Sequence, residues 1–150
     1  MKSIELLAPN QINLDLKAST KDTVLQELVG MLDIEKEHKS ILLEMVMQRE
    51  QLGSTGLGGG VAIPHGRSLL VNNLHLLCGV SKKGVYFQAL DRKKVYLFFL
   101  IIAPHREVSN QYLPLLGNLA KIASDPQIVQ SLRKAKDAER YLEIIRSVSL

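Results

Sequence analysis

Residues 95–102 read Val-Tyr-Leu-Phe-Phe-Leu-Ile-Ile, and Ala103-Pro104-His105 ends the stretch. Consecutive apolar side chains point to both sides of an extended chain, so such a strand needs cover on each face. The apolar run from Val95 to Ala103 is about half the length a membrane helix needs. It marks the central strand of a sheet and carries no expectation of membrane insertion.

The flanking segments supply the cover. Ile12 to Leu16 alternates and reads as a half-buried strand, after a short apolar piece from Ile4 to Ala8 that Pro9-Asn10 ends. Ser19 or Thr20 caps a helix with Asp22 in its first turn, and Val24, Leu25, Leu28, Val29 and Leu32 form its buried stripe. Asp33 caps a second helix that runs to about Gln51, with Ile41, Leu42, Met45 and Val46 inward and Gly53 as its stop. Val61 to Ile63 is a short strand. Leu74 to Ser81 is another, with Leu74, Leu76, Cys78 and Val80 on one face and Asn73 and His75 on the other.

Beyond the apolar run, Pro114 must fall in the first turn of a helix, which therefore begins between Asn110 and Leu113. Its apolar positions are Leu115, Leu116, Leu119, Ala120 and Ala123. Asp125-Pro126 is a cap followed by proline at the first helical position. Tyr141, Leu142, Ile144, Ile145 and Val148 mark a last helix. The order is strand, two helices, three short strands, three helices. That predicts an α/β fold with a mixed sheet, in a single domain over residues 1–150.

Composition narrows the function classes. The chain has 5% aromatic residues and no tryptophan, which disfavours a base-stacking platform. Its excess charge is +4, dense only at Arg92-Lys93-Lys94 and from Arg133 to Arg140, which read as solvated faces and not a nucleic-acid patch. One cysteine, Cys78, excludes an internal disulfide and fits a reducing cytoplasm; no signal peptide opens the chain. Four histidines and that cysteine lack ligand spacing, so no metal is expected.

Chemistry concentrates in residues 48–67, Gln-Arg-Glu-Gln-Leu-Gly-Ser-Thr-Gly-Leu-Gly-Gly-Gly-Val-Ala-Ile-Pro-His-Gly-Arg. Five of the ten glycines fall between Gly53 and Gly60. Glycine-dense loops persist where backbone takes unusual dihedrals or approaches a ligand closely. No Gly-Lys-Ser/Thr follows, so this is no P-loop; Gly56-Leu57-Gly58 lacks the third glycine of a dinucleotide fingerprint; and Ser54 has no nucleophile-elbow frame.

His65 remains, between a proline and a glycine. Neutral imidazole attacks phosphorus without a separate base, provided an acceptor holds its other nitrogen as a donor. Arg49 and the hydroxyls of Ser54 and Thr55 are near in sequence and suited to a phosphoryl group. The alternatives stay open at this point: a surface histidine in a tight turn, and an arginine that answers a helix dipole.

Glu50, six residues, Leu57-Gly58, two residues, then Val61-Ala62-Ile63-Pro64-His65-Gly66 resembles the enzyme IIA signature of the fructose/mannitol class of the bacterial phosphoenolpyruvate-dependent phosphotransferase system. Arg49 to Gly56 extends the match. The resemblance implies a three-layer α/β/α fold with a small mixed sheet flanked by helices. It implies that His65 takes a phosphoryl group from HPr or a nitrogen-type homologue of it, without a cofactor. Arg49 is expected to pair with that group, and Ser54 and Thr55 to hydrogen-bond it or orient the site. Family members often carry a second histidine ahead of the helix that follows the long strand. Here that segment reads Ser109-Asn110-Gln111-Tyr112-Leu113, with Tyr112 at the histidine's place and His105 as a possible substitute. The free-standing domain and the text of the glycine loop resemble the nitrogen-type regulatory branch, whose members bind target proteins according to phosphorylation. Leu52, Leu57 and Leu69 are candidates for that docking surface. The alternative is a sugar-specific IIA that passes phosphate to an enzyme IIB cysteine; a further one is an interaction domain with a degenerate site.

Overall fold

The computed structural model describes residues 7–106 and 110–148. Most of the Ile4–Ala8 piece, and Ser109, lie outside them. Among the described residues, five helices and six strands follow a short 3-10 turn at Pro9–Gln11: β1 (Ile12–Asn13), α1 (Lys21–Val29), α2 (Lys36–Leu52), β2 (Gly56–Gly58), β3 (Val61–Ala62), β4 (His65–Ser68), β5 (His75–Val85), β6 (Val95–Pro104), α3 (Tyr112–Ala123), α4 (Pro126–Arg133) and α5 (Ala138–Val148).

The sheet order is β1-β5-β6-β3-β2, with β4 also against β6. The long strands β5 and β6 are antiparallel, with Leu77 opposite Leu100. On the other edge of β6, β3 and β4 run parallel to it in succession, Val61 opposite Leu97 and His65 opposite Ile101. Both faces of β6 are buried, as its unbroken apolar text requires. Leu97, Phe99, Ile101 and Ala103 pack with α3, α4 and α5, while Phe98, Leu100 and Ile102 pack with α1 and α2. The result is the expected three-layer α/β/α frame.

Thr20 caps α1, and its whole expected stripe is buried. Asp125 caps α4 through the N–H groups of Gln127 and Ile128. Pro114 sits in the first turn of α3, which Gln111 precedes.

Several boundaries differ from expectation. α2 starts after Glu35, not Asp33, because Ile34 is drawn against the core before the helix can begin. Ile41 is 54% exposed, and the inner stripe runs instead through Leu42, Val46 and Glu50, four residues apart. Ala120 faces outward and Ile122 inward on α3. The first strand is cut to two residues; Asp15 N–H turns back to the Asn13 side chain before Leu16 enters the core. His65 heads a strand where Pro-His-Gly read as a turn. The ladder bond from Ile101 N–H to Pro64 O (2.9 Å) and that from His105 N–H to Ser68 O (3.1 Å) hold it there.

Candidate functional site

α2 ends at Gly53, and the carboxylate of Glu50 holds the start of the loop beyond it. That side chain is the last member of the buried stripe. It accepts from the Thr55 N–H (3.2 Å to each oxygen) and from the Thr55 hydroxyl, and it pairs with Lys21 of α1 at 3.0 Å. A buried carboxylate is tolerable only with such a set of partners. Ser54 is fixed differently: its hydroxyl donates to Phe87 O (2.8 Å) and accepts from Gly56 N–H (3.1 Å). Gly56 must be glycine, because a Cβ there would lie 2.8 Å from the backbone of Ala89. The chain then reverses through Gly58, Gly59 and Gly60, all at positive φ, and enters β3.

Ile63 N–H donates to Thr55 O at 3.1 Å and closes this loop. The Ile63 carbonyl accepts from His65 Nδ1 at 2.7 Å. A carbonyl only accepts, so Nδ1 carries the proton and Nε2 holds the free lone pair. Pro64 is buried between them, and β4 then fixes the histidine backbone against β6. Gly66 lets α2 come close. A Cβ at that position would overlap the Met45 sulfur.

That closeness brings the last turns of α2 beside the imidazole. His65, Arg49, Gln48, Leu52, Arg67 and Tyr112 line one open cleft of about 740 Å³. Arg49 donates through Nη1 to Gly53 O at 2.8 Å, so one arm of the guanidinium caps the helix end. Both readings of this residue thus have a structural counterpart: it answers the helix terminus and it lines the cleft. Tyr112, from the start of α3, is nearly buried and meets the His65 ring edge to face, with centroids 6.2 Å apart.

Ser54 and Thr55 do not line the cleft; their hydroxyls serve the loop that carries His65. His105 is exposed just past the end of β6, four residues beyond the partner of His65, and does not line it either. Of the three leucines, Leu52 alone does, although Leu69 is also largely exposed.

Sequence reading passed over one residue that holds the loop and one that lines the cleft. Glu50 was signalled by its place in the Leu42–Val46 series, where a carboxylate on a buried stripe demands partners. Arg67 was signalled by nothing, because only strand geometry puts it on the same side of the chain as His65. Among the described residues no cluster of histidine, cysteine or carboxylate groups has the form of a metal site.

Fold and site together define a three-layer α/β domain that offers an edge-strand imidazole, one nitrogen blocked and one open, beside guanidinium groups. Residues 5–148 match the family model "Phosphoenolpyruvate-dependent sugar phosphotransferase system, EIIA 2", and the chain belongs to that family. The crystal structure of nitrogen regulatory protein IIA-Ntr from Neisseria meningitidis is similar over 95% of this chain and 97% of that one, at 34% identity and a TM-score of 0.86. A nitrogen regulatory protein of Bradyrhizobium diazoefficiens is 31% identical over 146 residues, 97% of this chain and 95% of its own. The fructose-specific EIIABC component of Bacillus subtilis is 32% identical over 147 residues; the match takes in 97% of this chain but spans only 23% of that protein. The chain is thus a IIA domain of the phosphotransferase system, with full-length similarity to nitrogen regulatory proteins. No helix among the described residues is long and apolar enough to cross a membrane.

Proposed function

We propose that this chain is a cytoplasmic phosphoryl carrier of the nitrogen-regulatory kind, which accepts the phosphoryl group of a phosphohistidine on HPr, or on a nitrogen-type homologue of it, at Nε2 of His65. The observation that carries this reading is the bond from His65 Nδ1 to the Ile63 carbonyl. It sets the tautomer that a nucleophilic imidazole needs before any partner arrives.

The step balances without a general base. The Nε2 lone pair attacks phosphorus, an N–P bond forms, and the electron pair of the donor's breaking N–P bond returns to the donor imidazole. The Nδ1 proton stays on His65, where the Ile63 carbonyl stabilises the charge the ring acquires. Arg49, with donors left beyond its cap to Gly53, faces the cleft in which the transferred group comes to rest. Ser54 and Thr55 act through the loop: they hold the Gly53–Gly60 segment, and through Ile63 the imidazole, in register. Leu52 is 87% exposed at the cleft. A dianionic phosphate set beside it changes what that surface can dock, which is the physical basis of a phosphorylation-dependent regulator.

The test is transfer from phosphoenolpyruvate through enzyme I and HPr. The chain should gain one acid-labile, base-stable phosphate, and none after His65→Ala. Labelling that persists in that variant would refute the assignment. The similarity to the fructose-specific protein of Bacillus subtilis favours a second reading, a sugar-chain IIA. It requires onward transfer to an enzyme IIB cysteine, which a regulatory carrier does not show.

A further inference from the structure

We infer that Arg67 is a second guanidinium for the phosphoryl group, with Tyr112 as the platform that holds it over the site; the inference rests on the carrier reading of His65. Residues two apart on a strand share a side, so Arg67 projects with His65 from β4, about 6.6 Å further along it. Its guanidinium carbon stands 4.6 Å from the centroid of the Tyr112 ring, the same ring whose edge contact with His65 spans 6.2 Å. Nη1 of Arg67 donates to Pro104 O at 3.3 Å, which anchors one corner of the group. The ring face and this carbonyl position the guanidinium, and among the described residues its other N–H donors meet no protein acceptor.

Charge supports the same placement. Among the described residues, neither Arg49 nor Arg67 is paired with a carboxylate, yet both line the cleft with His65. Two cations without a carboxylate partner among the described residues match a dianion. Tyr112 therefore does not leave its side of the site without positive charge. The phenol is neutral, but the cation stacked on its face stands where charge is needed. A lysine would supply charge without the flat face that stacks on the ring.

The experiment compares the parent with Arg67→Gln and Arg67→Lys, each checked for an unchanged unfolding midpoint. The first measurement is the rate of transfer from phospho-HPr and the lifetime of the phosphohistidine. The second is titration of the unphosphorylated protein with inorganic phosphate, followed by the ring signals of His65 in NMR spectra. Arg67→Gln should slow transfer roughly tenfold, shorten the lifetime and weaken the phosphate response severalfold, with Arg67→Lys between it and the parent. If Arg67→Gln matches the parent in both measurements, the inference is overturned while a labelled parent still upholds the carrier reading. If the parent takes no phosphoryl group but its phosphate response depends on Arg67, the carrier reading fails and the anion site stands. A parent that neither accepts phosphoryl nor responds to phosphate ends both.

Discussion

The two ends of β6 carry two clefts made of similar parts. Near its end lies the one with His65, where Arg67 stacks on Tyr112. Near its start, about 16 Å away at 3.3 Å per residue, lies a cleft of about 560 Å³ lined by Tyr86, Arg92, Lys93, Lys94, Tyr96 and Arg133, among others. There Arg133 stands 3.7 Å from the Tyr96 ring centroid, and Lys94 5.2 Å from that of Tyr86. Its acid, Asp91, takes N–H bonds from Lys93 and Gly59, and these hold its carboxyl below the usual carboxylate range. By cations and aromatic faces alone, this second cleft would be the richer anion site. What it lacks among its described lining residues is an imidazole. The difference teaches that an arginine stacked on a tyrosine is a building device, and that chemistry begins where such a pair stands beside an imidazole whose tautomer is fixed.

The strongest attempt to break this distinction is His65→Ala. It should remove all phosphotransfer, while the second cleft, with its cations intact, rescues none of it. Phosphate incorporated elsewhere on the chain would show that the clefts had been ranked wrongly.

Arg49→Ala comes next. Loss of one preorganised donor to a transferring group costs about 10²-fold in rate. The same change removes a bond to Gly53 O, so its effect on stability should be measured in parallel by urea unfolding. Transfer should fall by more than stability explains, and Arg49→Lys should recover it only in part, since a lysine cannot grip two oxygens at once. Equal transfer in all three forms would reduce Arg49 to a helix cap.

A smaller effect is expected from Glu50→Gln, which tests what holds each end of the glycine loop. Gln can still accept from Thr55, but Lys21 loses its ion pair in a nearly dry setting. A loss of about 1–3 kcal/mol in unfolding free energy follows, with a severalfold drop in transfer as His65 loses its register. Asp91→Asn, at the exposed end of the same loop, should lower the unfolding midpoint less. The reverse order would mean that the loop is anchored from the second cleft.

These residues also show how much was legible in the sequence. The layers were, because an apolar strand needs cover on both faces and the flanking periodicities named which helices supply it. That His65 and Arg49 would lie near each other was, because one glycine-rich stretch joins them. The strand under His65 was not: Pro-His-Gly-Arg-Ser has no apolar alternation, and its pairing partner lies at Ile101, out of reach of any local rule. The partners of Ser54 and Thr55 were not legible. Their hydroxyls suit phosphate, but Phe87 O and Glu50 are the partners they meet. Arg67 and Tyr112 lie 45 positions apart in the sequence, and only the fold stacks them.

The smallest expected effect is the most demanding of the comparison. Arg133→Gln removes the guanidinium from the Tyr96 face and one cation from the second cleft, about 16 Å along β6 from the site. At physiological salt the Debye length is about 8 Å, so an exposed charge at that distance is largely screened from His65. Transfer from phospho-HPr at 0.15 M salt should therefore match the parent within experimental error. Repeating the measurement at low salt sharpens the point: a difference that emerges only there reflects long-range steering of the negatively charged donor. A loss of rate that persists at high salt would be of another kind. It would show that the second cleft touches the donor or the path to His65, and the two ends of β6 would then be parts of one surface.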